Sequence, residues 1–147
     1  MKGAVQARAR IFGIPLHQIL IVFPLGLLAT SFFFDLAYLI TGRMELGIVA
    51  SWLIFAGVIG GAFAALFGII DYSAIPRATK TRRIGMIHGI GNVVVALLFA
   101  LSWLLRRDAP GHPAALEIAL SGCGVALTVV TGWLGSQVAD RMDELEG

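Results

Sequence analysis

The sequence predicts an all-α protein: a single domain formed by a bundle of four transmembrane helices with both termini in the cytoplasm. Three observations carry that expectation. The 147 residues are 58% hydrophobic and only 14% charged, whereas soluble domains carry about a quarter charged residues. The apolar residues gather into four long blocks, near 15–40, 46–70, 84–105 and 114–138. The lysines and arginines are shared unevenly between the segments that join those blocks.

The first block sets the class. Between Ile11 and Thr41 the only formally charged side chain is Asp35. At ~1.5 Å per helical residue the run exceeds the ~30 Å hydrocarbon core of a bilayer. Lys2, Arg8 and Arg10 ahead of it imitate a signal peptide, but the apolar run continues through Phe32, Phe33 and Phe34 to Ile40. That is too long for a cleavable segment, so the helix is expected to be retained. Pro15 suits a first helical turn and Pro24 is placed to kink the helix.

A turn at Thr41–Glu45 leads to the second block, Leu46 to Ile70, which contains no charge. The connection from Asp71 to Arg83 holds Pro76 and four cations, Arg77, Lys80, Arg82 and Arg83. The third block, Ile84 to Leu105, contains His88 and Asn92. A loop from Arg106 to Pro113 precedes the fourth block, and the tail after Val138 is polar and acidic. The amino terminus, the 71–83 connection and the tail carry eight cations, against three in the other two loops. The positive-inside rule then places the termini and the 71–83 connection in the cytoplasm, and the protein in a plasma (inner) membrane as a multi-pass chain. The cations of the 71–83 connection would also attract anionic headgroups, worth about 1 kcal/mol each near the surface.

Small residues recur at helical spacing. Gly57, Gly61 and Ala65, with Gly60, Ala64 and Gly68, line the second block. Gly124, Thr128, Gly132 and Ser136 line the fourth, and Gly85 and Gly89 open the third. Such ridges let helices approach closely where lipid supplies no hydrophobic drive, and they suit a compact bundle or a homo-oligomer. No internal repeat is evident, because His17 and His88 each lie near a helix start but their neighbours do not otherwise match. Cys123 is the only cysteine, which excludes an internal disulfide and a cysteine-based zinc site. Phosphate-binding glycine loops, nucleophile elbows and zinc-protease helices are absent, and so is a nucleic-acid-binding face. His112, between Gly111 and Pro113, is expected to be solvated, and the tryptophans and Tyr38 to lie near helix ends or packing faces.

The stretch from Ile14 to Gly26, with His17 and Pro24, resembles the opening motif of the family called domain of unknown function 2231. Gly68-Ile69-Ile70-Asp71-Tyr72 followed by Pro76, His88 with Asn92, and Gly132-Trp133-Leu134-Gly135 resemble its later motifs, in the same order. The resemblance covers nearly the whole chain. It implies a four-helix membrane protein without assigning an activity. Some members are joined to Rieske-type iron–sulfur domains, which implies electron transfer for those members; these 147 residues contain no such domain.

An ionisable residue inside a membrane helix is costly and points to function. His17 and His88 fall within about one and a half turns of the same predicted membrane face, and Asp71 ends the second helix at that level. Asp35 stands 18 positions after His17, about 27 Å away. One expectation is a b-type haem ligated by His17 and His88, making the chain a redox-linked subunit with a redox partner protein. Asp71 would accept the second ring proton of a ligating histidine, Asn92 shares the His88 face, and Arg77 and Arg83 would receive propionates together with Lys80 and Arg82. A second expectation is a polar clamp in which His17, Asp71, His88 and Asn92 only lock the helices together. A quinone or proton site at His17 and Asp71 is the third. Asp35 is expected to pair with Arg43, Arg106 or Arg107 at the outer rim, in preference to a transport role.

Overall fold

In the computed structural model the backbone is described at residues 10, 11 and 14–146, and side chains over 16–141. Lys2 and Arg8 lie outside the described residues, as does the Arg10 side chain. Four helices account for the described chain: α1 (Leu16–Thr41), α2 (Met44–Ala74), α3 (Lys80–Arg106) and α4 (Ala115–Glu146). A two-residue antiparallel pairing of β1 (Arg10–Ile11) with β2 (Ile14–Pro15) precedes α1. All four helices are long and apolar enough to cross a membrane.

The helices overrun the apolar blocks at their polar ends. α2 continues through Asp71 to Ala74, α3 begins at Lys80 rather than Ile84, and α4 runs through the acidic tail to Glu146. Hydropathy marks only the part of a helix that lies in oil, and Lys, Arg and Glu are good helix formers. Arg106, expected in a loop, is the last residue of α3.

Each connection is built by local chemistry. Gly42, at φ +66°, ends α1 in the left-handed conformation and donates its N–H to the Tyr38 carbonyl at 2.8 Å. Thr79 caps α3, its hydroxyl accepting from the Arg82 N–H at 3.1 Å. The Arg82 guanidinium turns back to α2, donating to the Ile75 carbonyl at 2.7 Å and lying 4.5 Å from the Tyr72 ring centroid. Replacing Arg82 with alanine is therefore expected to loosen the α2–α3 turn, seen as faster amide exchange at Ile75–Thr79 with the bundle intact. Between α3 and α4, Pro110 and Gly111 press against Gly47 and Met44 at the start of α2.

Short links make α1–α2 and α3–α4 antiparallel hairpins, and these are the two extensive packing pairs. α2 meets α3 and α4 meets α1 more thinly, so α1 and α3 stand diagonally across the bundle. The core between them is Leu28, Ile54, Val95 and Phe99. Pro24 is fully buried inside α1, its ring turned toward Gly60 and Gly61 of α2.

The hairpins repeat one another. Contacts made by α1 recur in α3 71 positions later, and those of α2 recur in α4 67 positions later. A Cβ on Gly57 would stand 2.6 Å from Leu28, and one on Gly124 would stand 2.6 Å from Phe99, its counterpart. Ser31 matches Ser102 and both are fully buried. The expectation of no repeat is corrected: the two halves share contacts more than residues. Antiparallel hairpins placed side by side in this way are related by a pseudo-twofold axis along the bundle.

Candidate functional site

Two polar layers lie at opposite ends of the bundle. The first, at the end holding the α2–α3 turn, contains the two histidines. His17 opens α1 and lays its ring against α2, with Nδ1 2.9 Å from the Ala64 carbonyl. His88 of α3 does the same to α4, with Nδ1 2.7 Å from the Thr131 carbonyl. A glycine one turn beyond each carbonyl makes room: a Cβ on Gly68 would lie 3.1 Å from the His17 ring, and one on Gly135 would lie 2.8 Å from the His88 ring. The histidine, carbonyl and glycine thus form one module, used twice.

A carbonyl oxygen can only accept, so in the neutral imidazoles each Nδ1 carries the proton and each Nε2 presents a lone pair. The Asn92 amide, one turn along α3, donates to His88 Nε2 at 3.0 Å. The matching position on α1 is Ile21, which has nothing to donate. Among the described residues His17 Nε2 has no hydrogen-bond partner.

Asp71 lies on α2 one turn beyond Gly68, half-buried, and among the described residues its shielded Oδ1 has no hydrogen-bond partner. The described acceptors of the two ring protons are backbone carbonyls, not Asp71. Arg77, Lys80 and Arg83 are exposed at this end of the bundle and form no ion pair among the described residues, while Arg82 is committed to the α2 carbonyls. Gly85 faces the Tyr72 ring, and a Cβ on Gly89 would meet open space.

The second layer sits at the other end, close to the pseudo-twofold axis. Asp35 of α1 and Arg106 of α3 are equivalent positions, and they form a two-pronged ion pair at 2.7 and 3.1 Å with both side chains fully buried. Arg106 also donates to Ser102 at 2.9 Å and Ser121 at 3.4 Å. Ser102 donates in turn to the Glu117 carbonyl at 2.7 Å, which ties α4 into the network. Arg106 Nε is buried and among the described residues has no hydrogen-bond partner. Of the three partners expected for Asp35, Arg106 is the one it takes; Arg43 and Arg107 make exposed contacts with Glu45 and Asp108. The expected rim pair is corrected to a core pair. The serines escaped sequence reading, although Ser102 and Arg106 are four apart on one helix face.

A family model described as "Predicted membrane protein (DUF2231)" matches residues 13–143. The chain belongs to the DUF2231 family. No curated protein and no solved structure matches it. In this DUF2231 chain the matched span takes in both histidine modules and the Asp35–Arg106 pair. Chemically, the first layer can coordinate or accept a proton through Nε2 of either histidine. The second is internally neutralised, and Asp35 is fully engaged by the guanidinium. Among the described residues no group of three or more His, Cys, Asp or Glu side chains could hold a metal ion alone.

Proposed function

We propose that this protein is a redox-linked subunit of a plasma (inner) membrane, in which His17 and His88 hold a b-type haem near the cytoplasmic face. The observation that carries the reading is the paired tethering of the imidazoles. Each Nδ1 is anchored to a carbonyl, which leaves Nε2 to ligate, and the two histidines hold equivalent positions on diagonal helices at one end of the bundle. A ligating histidine ordinarily donates its other ring proton in this way, which fixes the ring and raises its basicity. A porphyrin supplies four ligands itself, so two protein ligands suffice and a larger cluster is not required. Gly68 and Gly135 fit the same purpose, since a side chain at either would push its ring aside.

Bound there, the haem would supply one-electron transfer. The residues of the chain do the rest. Asn92 gives up its contact with His88 Nε2 and frees the lone pair. Arg77 and Arg83 neutralise propionates at the face where the positive-inside rule places them.

The test is a visible spectrum of protein purified from membranes, or of protein given haemin. The expected result is a Soret band that shifts on reduction and is lost in His17→Ala and in His88→Ala. Folded protein that stays colourless with haemin present overturns the reading. The Asn92 bond to His88 favours a second one, in which both histidines serve only as helix clamps. Transmembrane polar contacts of that kind contribute about 0.6–2 kcal/mol each, so the clamp would show as lost stability with no spectrum.

A further inference from the structure

The two histidine modules are built alike but leave their imidazoles unequally free. Each ring rests its Nδ1 on a backbone carbonyl of the next helix, so in the neutral ring Nε2 carries the lone pair. On α3 that lone pair is occupied, because the Asn92 amide donates to His88 Nε2 at 3.0 Å. On α1 the equivalent of Asn92 is Ile21, and among the described residues His17 Nε2 accepts from nothing. Ile21 and Asn92 are both half-buried, so the two positions differ in chemistry more than in exposure.

The backbone around His88 is also the more closely packed. A Cβ on Gly91, beside Asn92, would stand 2.5 Å from the Thr131 side chain, and Thr131 is the residue whose carbonyl holds His88. The equivalent of Gly91 on α1 is Leu20, where a side chain is accommodated. His88 is thus fixed between Thr131 and Asn92, whereas His17 is fixed at one nitrogen and open at the other.

We propose that Asn92 ranks the two histidines as ligands: His17 is the fixed one, and His88 is a displaceable one that returns to Asn92 when a small neutral ligand competes for its place. The inference rests on the cofactor reading above and adds which histidine gives way and what class of molecule replaces it. Asn92 acts through His88 and is a positioning residue. A hydrogen bond made only while His88 is detached favours the detached state, by about fivefold for a typical bond. Ile21 offers His17 no such alternative.

The first readout of the test needs no haem. Protein in lipid vesicles is treated at mildly alkaline pH with diethyl pyrocarbonate, which the imidazole lone pair attacks. Labelling of each histidine is followed by mass spectrometry, with His112, exposed in the α3–α4 loop, as the reference. His17 is expected to label about fivefold faster than His88. Asn92→Leu removes the donor and should bring His88 level with His17, and Ile21→Asn should slow His17 by placing a donor beside it. The second readout titrates reduced, haem-loaded protein with carbon monoxide. Asn92→Leu should bind it about fivefold more weakly, since detached His88 has lost its partner, and Ile21→Asn should bind it more tightly. Should Asn92→Leu fail to fold, Ile21→Asn carries both readouts. Haemin uptake by the parent, with His88 labelling or carbon monoxide affinity unmoved by these changes, overturns the ranking and leaves the cofactor site standing. A parent that takes up no haemin removes the cofactor reading, and the ranking of ligands falls with it whatever the labelling.

Discussion

Replacing Arg106 with alanine is expected to destabilise the bundle by about 3–5 kcal/mol, because it strands the Asp35 carboxylate in a site with no access to water. Asp35→Ala should cost a similar amount by stranding the guanidinium, which already has one N–H unpaired among the described residues. A buried pair need not contribute much over an apolar core; the damage comes from leaving one charge alone. The repeat supplies a sharper experiment. Because positions 35 and 106 are equivalent, the double variant Asp35→Arg with Arg106→Asp should rebuild the pair in reversed orientation. Arg at 35 would find Ser31 one turn before it, as Arg106 finds Ser102. Where Arg106 also has Ser121, the reversed pair would meet Ile54, so one hydrogen bond is lost. The swap should recover most, but not all, of the stability lost in either single variant, measured by thermal unfolding in detergent. A swap no more stable than Arg106→Ala would show that the halves are not equivalent here.

How much of this was legible in the sequence follows from what each feature depends on. The four helices were legible because a span must be apolar over its whole length, and Asp35 and the two histidines stood out against that background. The helix ends were not, since Lys80–Arg83 and Ala139–Glu146 continue as helix outside the oil, where hydropathy says nothing. Arg106 looked like a topology anchor because Arg107 and Asp108 follow it; only the packing reveals that its side chain turns inward to Asp35. The acceptors for His17 and His88 left no trace, because the backbone carbonyls of Ala64 and Thr131 are the same whatever side chain they carry. The repeat was hidden for a related reason. Leu28 and Phe99 fill equivalent places with different shapes, and Asp35 and Arg106 fill equivalent places with opposite charges. Contact geometry is preserved where residue identity is not.

That difference sets up the second large effect. Gly57→Leu is expected to destabilise the protein by about 1–3 kcal/mol, and Gly124→Leu likewise, because each would force a side chain into the place held by Leu28 or Phe99. Neither neighbour can step aside, since both belong to the core where the hairpins meet. The cost should fall when space is made: Gly57→Ala with Leu28→Ala, and Gly124→Ala with Phe99→Leu, should each be less harmful than the sum of their single changes, as residues in direct contact couple. The two cycles should give coupling of the same sign because they probe one contact used twice. Gly132→Leu provides the contrast, with open space around its Cβ and an expected stability close to the parent's. If Gly124→Leu were equally harmless, the close approach of α4 to α3 at Phe99 would not be what holds the second hairpin together. The registration of His88 on Thr131, two turns further along α4, would then lose its structural support, because the same tight helix contact positions both.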